Sequence, residues 1–254
     1  IRQVTSGYYH SCALTTSGGV KCWGENDDGQ LGYVGTKYNP TPTEVGGLTS
    51  GVISISANGF HSCAVTSSGG VKCWGDSLGE NPVNVEGLTD IVLVTAGEYF
   101  NCALTVSGGV KCWGYNEQGQ LGNGTFTDSQ TPVDVIGLPD RVKDLSAGAS
   151  HVCAITILNQ LHCWGSNLLG ELGNGTLENS SVPVSVTGLY DQIKSVRGGW
   201  SHTCALTING DVKCWGNNSY GQLGDGTTTH RSLPVDVVGL TEGMRAVAAG
   251  GVHT

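Results

Sequence analysis

The stretch HSCALTTSGGVKCWG (10–24) decides the architecture, because it returns four times. The other copies are HSCAVTSSGGVKCWG (61–75), FNCALTVSGGVKCWG (100–114), HVCAITILNQLHCWG (151–165) and HTCALTINGDVKCWG (202–216). Self-similarity at a fixed period marks a repeat architecture. First cysteines stand 51 residues apart from Cys12 to Cys63, from Cys102 to Cys153 and from Cys153 to Cys204; from Cys63 to Cys102 the distance is 39. The repeats run at about 1–51, 52–90, 91–141, 142–192 and 193–243, with a partial copy at 244–254.

Each repeat reads as four strands. An apolar strand comes first, as in SISA (54–57), LVTA (93–96) and DLSA (144–147). After a tight turn comes the second, His10 to Thr15 in the first copy, and after Ser17-Gly18-Gly19 the third, Val20 to Trp23. A long polar loop leads to a fourth that carries proline: Pro42 to Val45, Pro132 to Val135, Pro183 to Val186 and Pro234 to Val237. Proline suits an outer edge strand, because it cannot donate to a ladder. Four strands per repeat around an axis predict an all-β fold, a β-propeller of four-stranded blades in a single domain over 1–254.

Positions counted back from the first cysteine support this register. Eight before it stand Val4, Ile55, Val94, Leu145, Val196 and Val247, and six before it Ser6, Ala57, Ala96, Ala147, Gly198 and Ala249, all small. Five before it stand Gly7, Asn58, Gly97, Gly148, Gly199 and Gly250, the composition expected of a turn with positive φ.

The cysteines form the pairs Cys12/Cys22, Cys63/Cys73, Cys102/Cys112, Cys153/Cys163 and Cys204/Cys214. If each pair faces across its hairpin, so do Leu14/Val20, Val65/Val71, Leu104/Val110, Ile155/Leu161 and Leu206/Val212, apolar against apolar every time. Opposed cysteines can meet disulfide geometry, and all ten are used, so five disulfides are expected, against the alternative of buried free thiols. Disulfides point to an extracellular or cell-surface setting.

Metal and catalytic readings fare worse. His10, His61, His151 and His202 lie two residues before the first cysteine and could join it as zinc ligands. The third copy carries Phe100 there and keeps both cysteines, which favours packing, so no metal or cofactor is expected. Asp27-Asp28-Gly29 is too short for a calcium loop, and the G-N-G-T and G-D-G-T runs lack the Lys-Ser/Thr of a phosphate loop. No distinct nucleophile, base and orienter stand out, and no enzyme is expected. A net charge of −9 without runs of Lys or Arg disfavours nucleic acid and anionic membrane, and no apolar stretch reaches transmembrane length.

The phrases WGENDDGQLG (23–32), WGYNEQGQLGNGT (113–125), WGSNLLGELGNGT (164–176) and WGNNSYGQLGDGT (215–227) resemble the regulator of chromosome condensation repeat family over essentially the whole chain. The resemblance implies a propeller, commonly seven-bladed, and a structural role for the histidine. It also implies functions ranging from exchange factor and scaffold to a plant branch that senses ultraviolet light through clustered tryptophans. Here Trp23, Trp74, Trp113, Trp164 and Trp215 sit in the signature itself, which does not favour light sensing. The cysteines depart from the family pattern and argue against a nuclear exchange factor.

The turn between the first and second strands varies most: Tyr8-Tyr9, Gly59-Phe60, Glu98-Tyr99, Ala149-Ser150, Trp200-Ser201 and Gly251-Val252. Turns at one level share one rim of a propeller. Tyr8, Tyr9, Phe60, Glu98, Tyr99 and Trp200 are therefore the candidate binding residues, since Tyr and Trp anchor interfaces; the plainer alternative is that they cap the central channel. The expected function is a secreted or cell-surface, non-catalytic propeller that binds a protein or glycan by this rim. The alternatives are a structural subunit of an extracellular assembly or filament, built from copies of itself, and an intracellular exchange-factor-like regulator.

In the second repeat, WGDSLGENPVNV (74–85) lacks the G-Q-L-G loop but keeps the proline strand, which leaves a notch that either admits a partner segment or a neighbouring subunit or is a neutral loop loss. MRAVAAGGVHT (244–254) repeats IRQVTSGYYHS (1–11) and reads as the first strand of a sixth blade in a native propeller of six or seven; the alternatives are five blades closed by an overlapping strand, or a strand that inserts into a neighbouring copy. N-x-S/T sequons at Asn123, Asn174, Asn179 and Asn217 are candidate glycosylation sites.

Overall fold

The computed structural model describes residues 1–189, 192–240 and 243–254. The chain is all-β, with twenty strands arranged four to a sheet, and contains no α-helix among the described residues. It divides into two compact units, 1–106 and 107–254.

The first unit holds two complete blades and a hairpin. Blade one is β1 (Gln3–Ser6), β2 (His10–Leu14), β3 (Val20–Glu25) and β4 (Tyr38–Glu44). Blade two is β5 (Val52–Asn58), β6 (His61–Thr66), β7 (Val71–Gly75) and β8 (Val83–Asn84). The hairpin is β9 (Ile91–Ala96) and β10 (Phe100–Thr105). The second unit begins with β11 (Val110–Gly114) and β12 (Ser129–Asp134). Its complete blades are β13 (Val142–Ala147), β14 (His151–Thr156), β15 (Leu161–Gly165), β16 (Ser180–Ser185), and β17 (Ile193–Gly198), β18 (His202–Thr207), β19 (Val212–Gly216), β20 (Arg231–Asp236). All pairings are antiparallel and follow chain order, as short hairpin connections favour.

The hairpin register is the expected one. Cys12↔Cys22, Cys63↔Cys73, Cys153↔Cys163 and Cys204↔Cys214 stand opposite, each two residues from an opposed apolar pair such as Leu14↔Val20 or Ile155↔Leu161. Each of these four pairs is a disulfide with Cα atoms 4.1 Å apart. Cys102 and Cys112 are disulfide-bonded too, and no cysteine is free.

The cysteine face of one blade packs on the tryptophan face of the next within each unit. Cys12, Leu14, Val20 and Cys22 meet Ile55, Ala64 and Trp74, and Cys153, Ile155, Leu161 and Cys163 meet Val196, Ala205 and Trp215. A loop leucine, Leu31 or Leu172, is fully buried in each interface. The loop is held by one buried asparagine: Asn26, Asn116, Asn167 and Asn218 each accept from the N–H of Leu31, Leu121, Leu172 and Leu223 at 2.8–3.0 Å. The loop's carbonyl then accepts the next indole N–H: Gln30 O from Trp74, Gln120 O from Trp164 and Glu171 O from Trp215. The repeated Trp, Asn and Leu therefore connect loop to blade as well as filling the core.

Several expectations need correction. The glycine five before the first cysteine is not a positive-φ position; Gly7, Gly97, Gly148, Gly199 and Gly250 lie outside the left-handed region. Room decides the residue instead. A Cβ on Gly7, Gly148 or Gly199 would stand 2.2 Å from Cε1 of His10, His151 or His202, and one on Gly97 would stand 1.9 Å from the Phe100 ring. In the Asn58 copy, β5 runs on to pair Asn58 with His61, and positive φ falls on Gly59. The outer strands also begin before their prolines. A β-bulge lets Gly24, Gly114, Gly165 and Gly216 of β3, β11, β15 and β19 pair with Asn39, Ser129, Ser180 and Arg231. Blade two loses this second pairing with its loop, so the deletion shortens β8 to two residues, opposite Lys72 and Cys73. Residues 244–254 lie against blade five through Met244 N–H to Gly210 O and Lys194 Nζ to Arg245 O, and Gly250 N–H to His253 O repeats the turn bond of the earlier copies.

Candidate functional site

The turns that join the first two strands of each blade are fixed by the W-G signature. The glycine after each tryptophan takes positive φ, and a Cβ on it would strike the turn's carbonyl: Gly24 against Tyr9 O at 2.4 Å, Gly75 against Phe60 O at 2.5 Å, Gly165 against Ser150 O at 2.6 Å, Gly216 against Ser201 O at 2.7 Å. Neighbouring turns then bond to one another. Tyr8 N–H donates to Gly59 O at 3.0 Å; in the second unit Ala149 N–H donates to Trp200 O and Trp200 N–H to Gly250 O. In the first unit the Asn58 side chain adds the third turn, its Nδ2 donating to Ala96 O at 3.2 Å, so neighbouring turns within each unit are tied together.

In the first unit these turns gather Tyr8, Tyr9, Phe60, Glu98 and Tyr99. Tyr8 is half-buried and packs edge-on against Phe60, with ring centroids 5.2 Å apart, and against Tyr9 at 6.4 Å. Burial, and then the Glu98 carboxylate that its hydroxyl faces, hold the Tyr8 proton on well above the ordinary tyrosine range. Tyr99 is shifted the same way, by burial and then by Glu98, Asp76 and Asp28. Tyr9 and Tyr99 remain open to solvent, 68% and 51% exposed. The inner half of the cluster is anchored and the outer half is presented. Trp200 belongs to the second unit, 47% exposed, with Gly251 below its ring.

The sequence pattern misses a cleft in blade one. Tyr9, Gly24, Glu25, Tyr38, Asn39 and Pro40 line an open cleft of about 800 Å³. Its signal was local: Glu25 and Tyr38 extend β3 and β4 by one pair beyond the glycine where the third strand of the other blades stops.

The histidines are committed to structure. Nε2 of His10 meets Ser62 Oγ at 2.8 Å, His61 meets Asn101 Oδ1 at 2.9 Å, His151 meets Thr203 Oγ1 at 2.8 Å and His202 meets Thr254 Oγ1 at 2.9 Å. Each ring ties its blade to the next copy. Burial, then a neighbouring histidine, lowers His10 and His202 to about 4 and His151 to about 3. The nearby cysteine sulfurs are consumed in disulfides.

The sequon asparagines are used in the loops. Asn123 and Asn174 each accept from Thr125 or Thr176 through both backbone and hydroxyl, a place where Asp225 does the same. Asn179 accepts from Asn167 N–H and donates to Gln118, and Asn217 accepts from Ser219 N–H. No helix among the described residues is long and apolar enough to cross a membrane.

Comparison with known proteins agrees with the fold. The pattern of the RCC1-like domain matches residues 1–254. The ultraviolet-B receptor UVR8 of Arabidopsis thaliana is 31% identical over 256 residues, which is 99% of this chain and 49% of the receptor. The chain therefore spans about half that relative's length. Human WBSCR16 superposes with a TM-score of 0.86 at 26% identity, covering 98% of this chain and 69% of that one. Yeast RCC1 (Prp20), crystallised with Kap60, superposes at 0.85 with 25% identity, covering 98% and 66%. Twenty strands in four-stranded antiparallel sheets, the W-G turn and the full-length match together show that this chain belongs to the RCC1-like domain family.

Proposed function

We propose that residues 1–254 act as a non-catalytic propeller domain that binds a protein through the turns between the first two strands of its blades, those of the first unit carrying Tyr8, Tyr9, Phe60, Glu98 and Tyr99 and those of the second carrying Trp200. The observation that carries this reading is the group of first-unit turns, where Tyr8, packed edge-on against Phe60, backs the exposed ring of Tyr9, and Tyr99 is also exposed. Rigid, half-buried aromatics lose little side-chain entropy on contact and supply large apolar area. The yeast RCC1 structure, a complex with Kap60, supports a protein partner over a glycan. All ten cysteines are disulfide-bonded, which supports an oxidising, extracellular or cell-surface setting and disfavours an exchange-factor role inside the cell. Asn123, Asn174, Asn179 and Asn217 would be the acceptors if the chain passes a glycosylating pathway.

Photo-cross-linking from single benzoylphenylalanine substitutions tests the rim. Adducts are expected from positions 9, 99 and 200 and not from Glu86, on an outer loop. Adducts from position 86 alone would reject the rim as the contact surface. An adduct with the mass of a second copy assigns the rim to self-assembly instead.

A further inference from the structure

The cleft in blade one is within the size range of ligand sites, about 300–1,000 Å³. Two of its walls are the rings of Tyr9 and Tyr38, 68% and 64% exposed. The Glu25 backbone N–H donates to Tyr9 O at 2.9 Å, and Glu25 pairs with Tyr38 across the ladder, so carboxylate and rings are held by one short piece of sheet. Glu25 Oε2 is shielded from solvent and accepts no hydrogen bond among the described residues. A shielded acceptor without a donor costs free energy that an incoming donor recovers.

The rest of the lining narrows the ligand. Asn39 is spent internally: its Nδ2 donates to Tyr33 Oη at 2.6 Å and Thr43 Oγ1 at 2.8 Å, and its Oδ1 accepts from Thr41 N–H at 2.9 Å. Pro40 has no N–H to offer. Lys37, the chain neighbour of Tyr38, is held to Asp27 at 3.4 Å. The cleft therefore presents two tyrosine side chains beside the Glu25 carboxylate that lines it, with few donors for sugar hydroxyls. Aromatic faces attract cations, and a carboxylate accepts from them.

We propose that this cleft receives a lysine or arginine side chain of the protein partner, its stem against Tyr9 and Tyr38 and its charged head on Glu25. The inference rests on the rim being a protein-binding surface, since Tyr9 belongs to both.

The test uses the full chain with its disulfides intact and fluorescence anisotropy of a labelled peptide of alternating glycine and lysine. The control peptide carries acetyl-lysine, which keeps the stem and loses the charge. The lysine peptide should bind, and acetylation should weaken it by about tenfold or more. E25Q, nearly isosteric, and Tyr38→Ala should each cause a similar loss, with unchanged circular dichroism, while Tyr99→Ala should not. Equal binding of both peptides, no binding of either, or indifference to E25Q overturns the proposal, as does displacement of the lysine peptide by a chito-oligosaccharide. If the benzophenone adducts at positions 99 and 200 persist while the lysine peptide fails, only the ligand of the cleft is rejected; if both fail, so does the rim.

Discussion

Glu171 stands where the other long loops carry Gln30, Gln120 and Gln222. Its side chain does the same work, accepting from the N–H two residues earlier at 2.9 Å. A buried carboxylate has a cost that an amide lacks, and burial raises the Glu171 pKa. Because the folded pKa is raised, folding favours the protonated form and the penalty grows as pH rises above the ordinary carboxylate range. Glu171→Gln should therefore stabilise the protein at pH 7 and have little effect near pH 4, as urea titrations at the two pH values would read.

The histidines act in the opposite pH sense. Folded pKa values of about 4 for His10 and His202, and about 3 for His151, lie below an ordinary value of 6.5. The unfolded chain takes protons first as pH falls. Stability is thus complete above pH 6.5 and is lost between there and about pH 4, by on the order of 3 kcal/mol per histidine. The sequence already holds a version without this sensitivity: Phe100 replaces the histidine, and the following copy carries Val152 where others have Ser62, Asn101 or Thr203. The pair His151→Phe with Thr203→Val should fold and show a shallower loss of denaturation midpoint between pH 7 and pH 4. A slope identical to that of the unaltered chain would reject this account.

At the scale of the element, the unit is a hairpin closed by a disulfide across ten residues of sequence. So small a loop limits the entropic gain to somewhat under about 3 kcal/mol. Replacing Cys153 and Cys163 together by alanine should cost at most about that, plus the loss of buried packing, and leave the fold intact by circular dichroism. The turn at the hairpin's end is less forgiving. An alanine at Gly148 would place its Cβ 2.2 Å from the His151 ring and 2.5 Å from Gly199 O. Gly148→Ala should therefore cost about 1–3 kcal/mol through overpacking, read as a fall in thermal midpoint. The alternation of apolar pairs displayed the hairpins plainly, because a one-residue slip would turn every side chain to the wrong face. The bulge that extends the outer strands past their prolines left no such periodic trace, since it depends on where the partner strand bends.

At the scale of the whole molecule, cysteines and charge set the conditions under which the protein works. With all ten cysteines disulfide-bonded, reduction should add ten hydrogen masses to the intact chain, one per cysteine, and lower its thermal midpoint. No mass change in material from its natural source would remove the support for an oxidising compartment. A net charge of −9 sets the long-range field, which favours a cationic partner over a polyanion and agrees with a lysine- or arginine-bearing ligand for the first-blade cleft.

The sequence by itself determined the repeat, the four-stranded unit, the facing cysteines and the variable turns, because each is a local periodicity enforced by alternation, loop length or a hairpin register. It also singled out Tyr8, Tyr9, Phe60, Glu98 and Tyr99 as variable positions at one level. Tertiary structure alone decided how those positions are arranged: which ring is buttressed and which is exposed, and that Glu25 and Tyr38 meet beside Tyr9. It also showed that the repeated glycine makes room for a ring rather than for a positive φ. These are contacts between residues remote in the chain or stacked across a turn. They depend on distances of a few ångströms, which no spacing of letters carries.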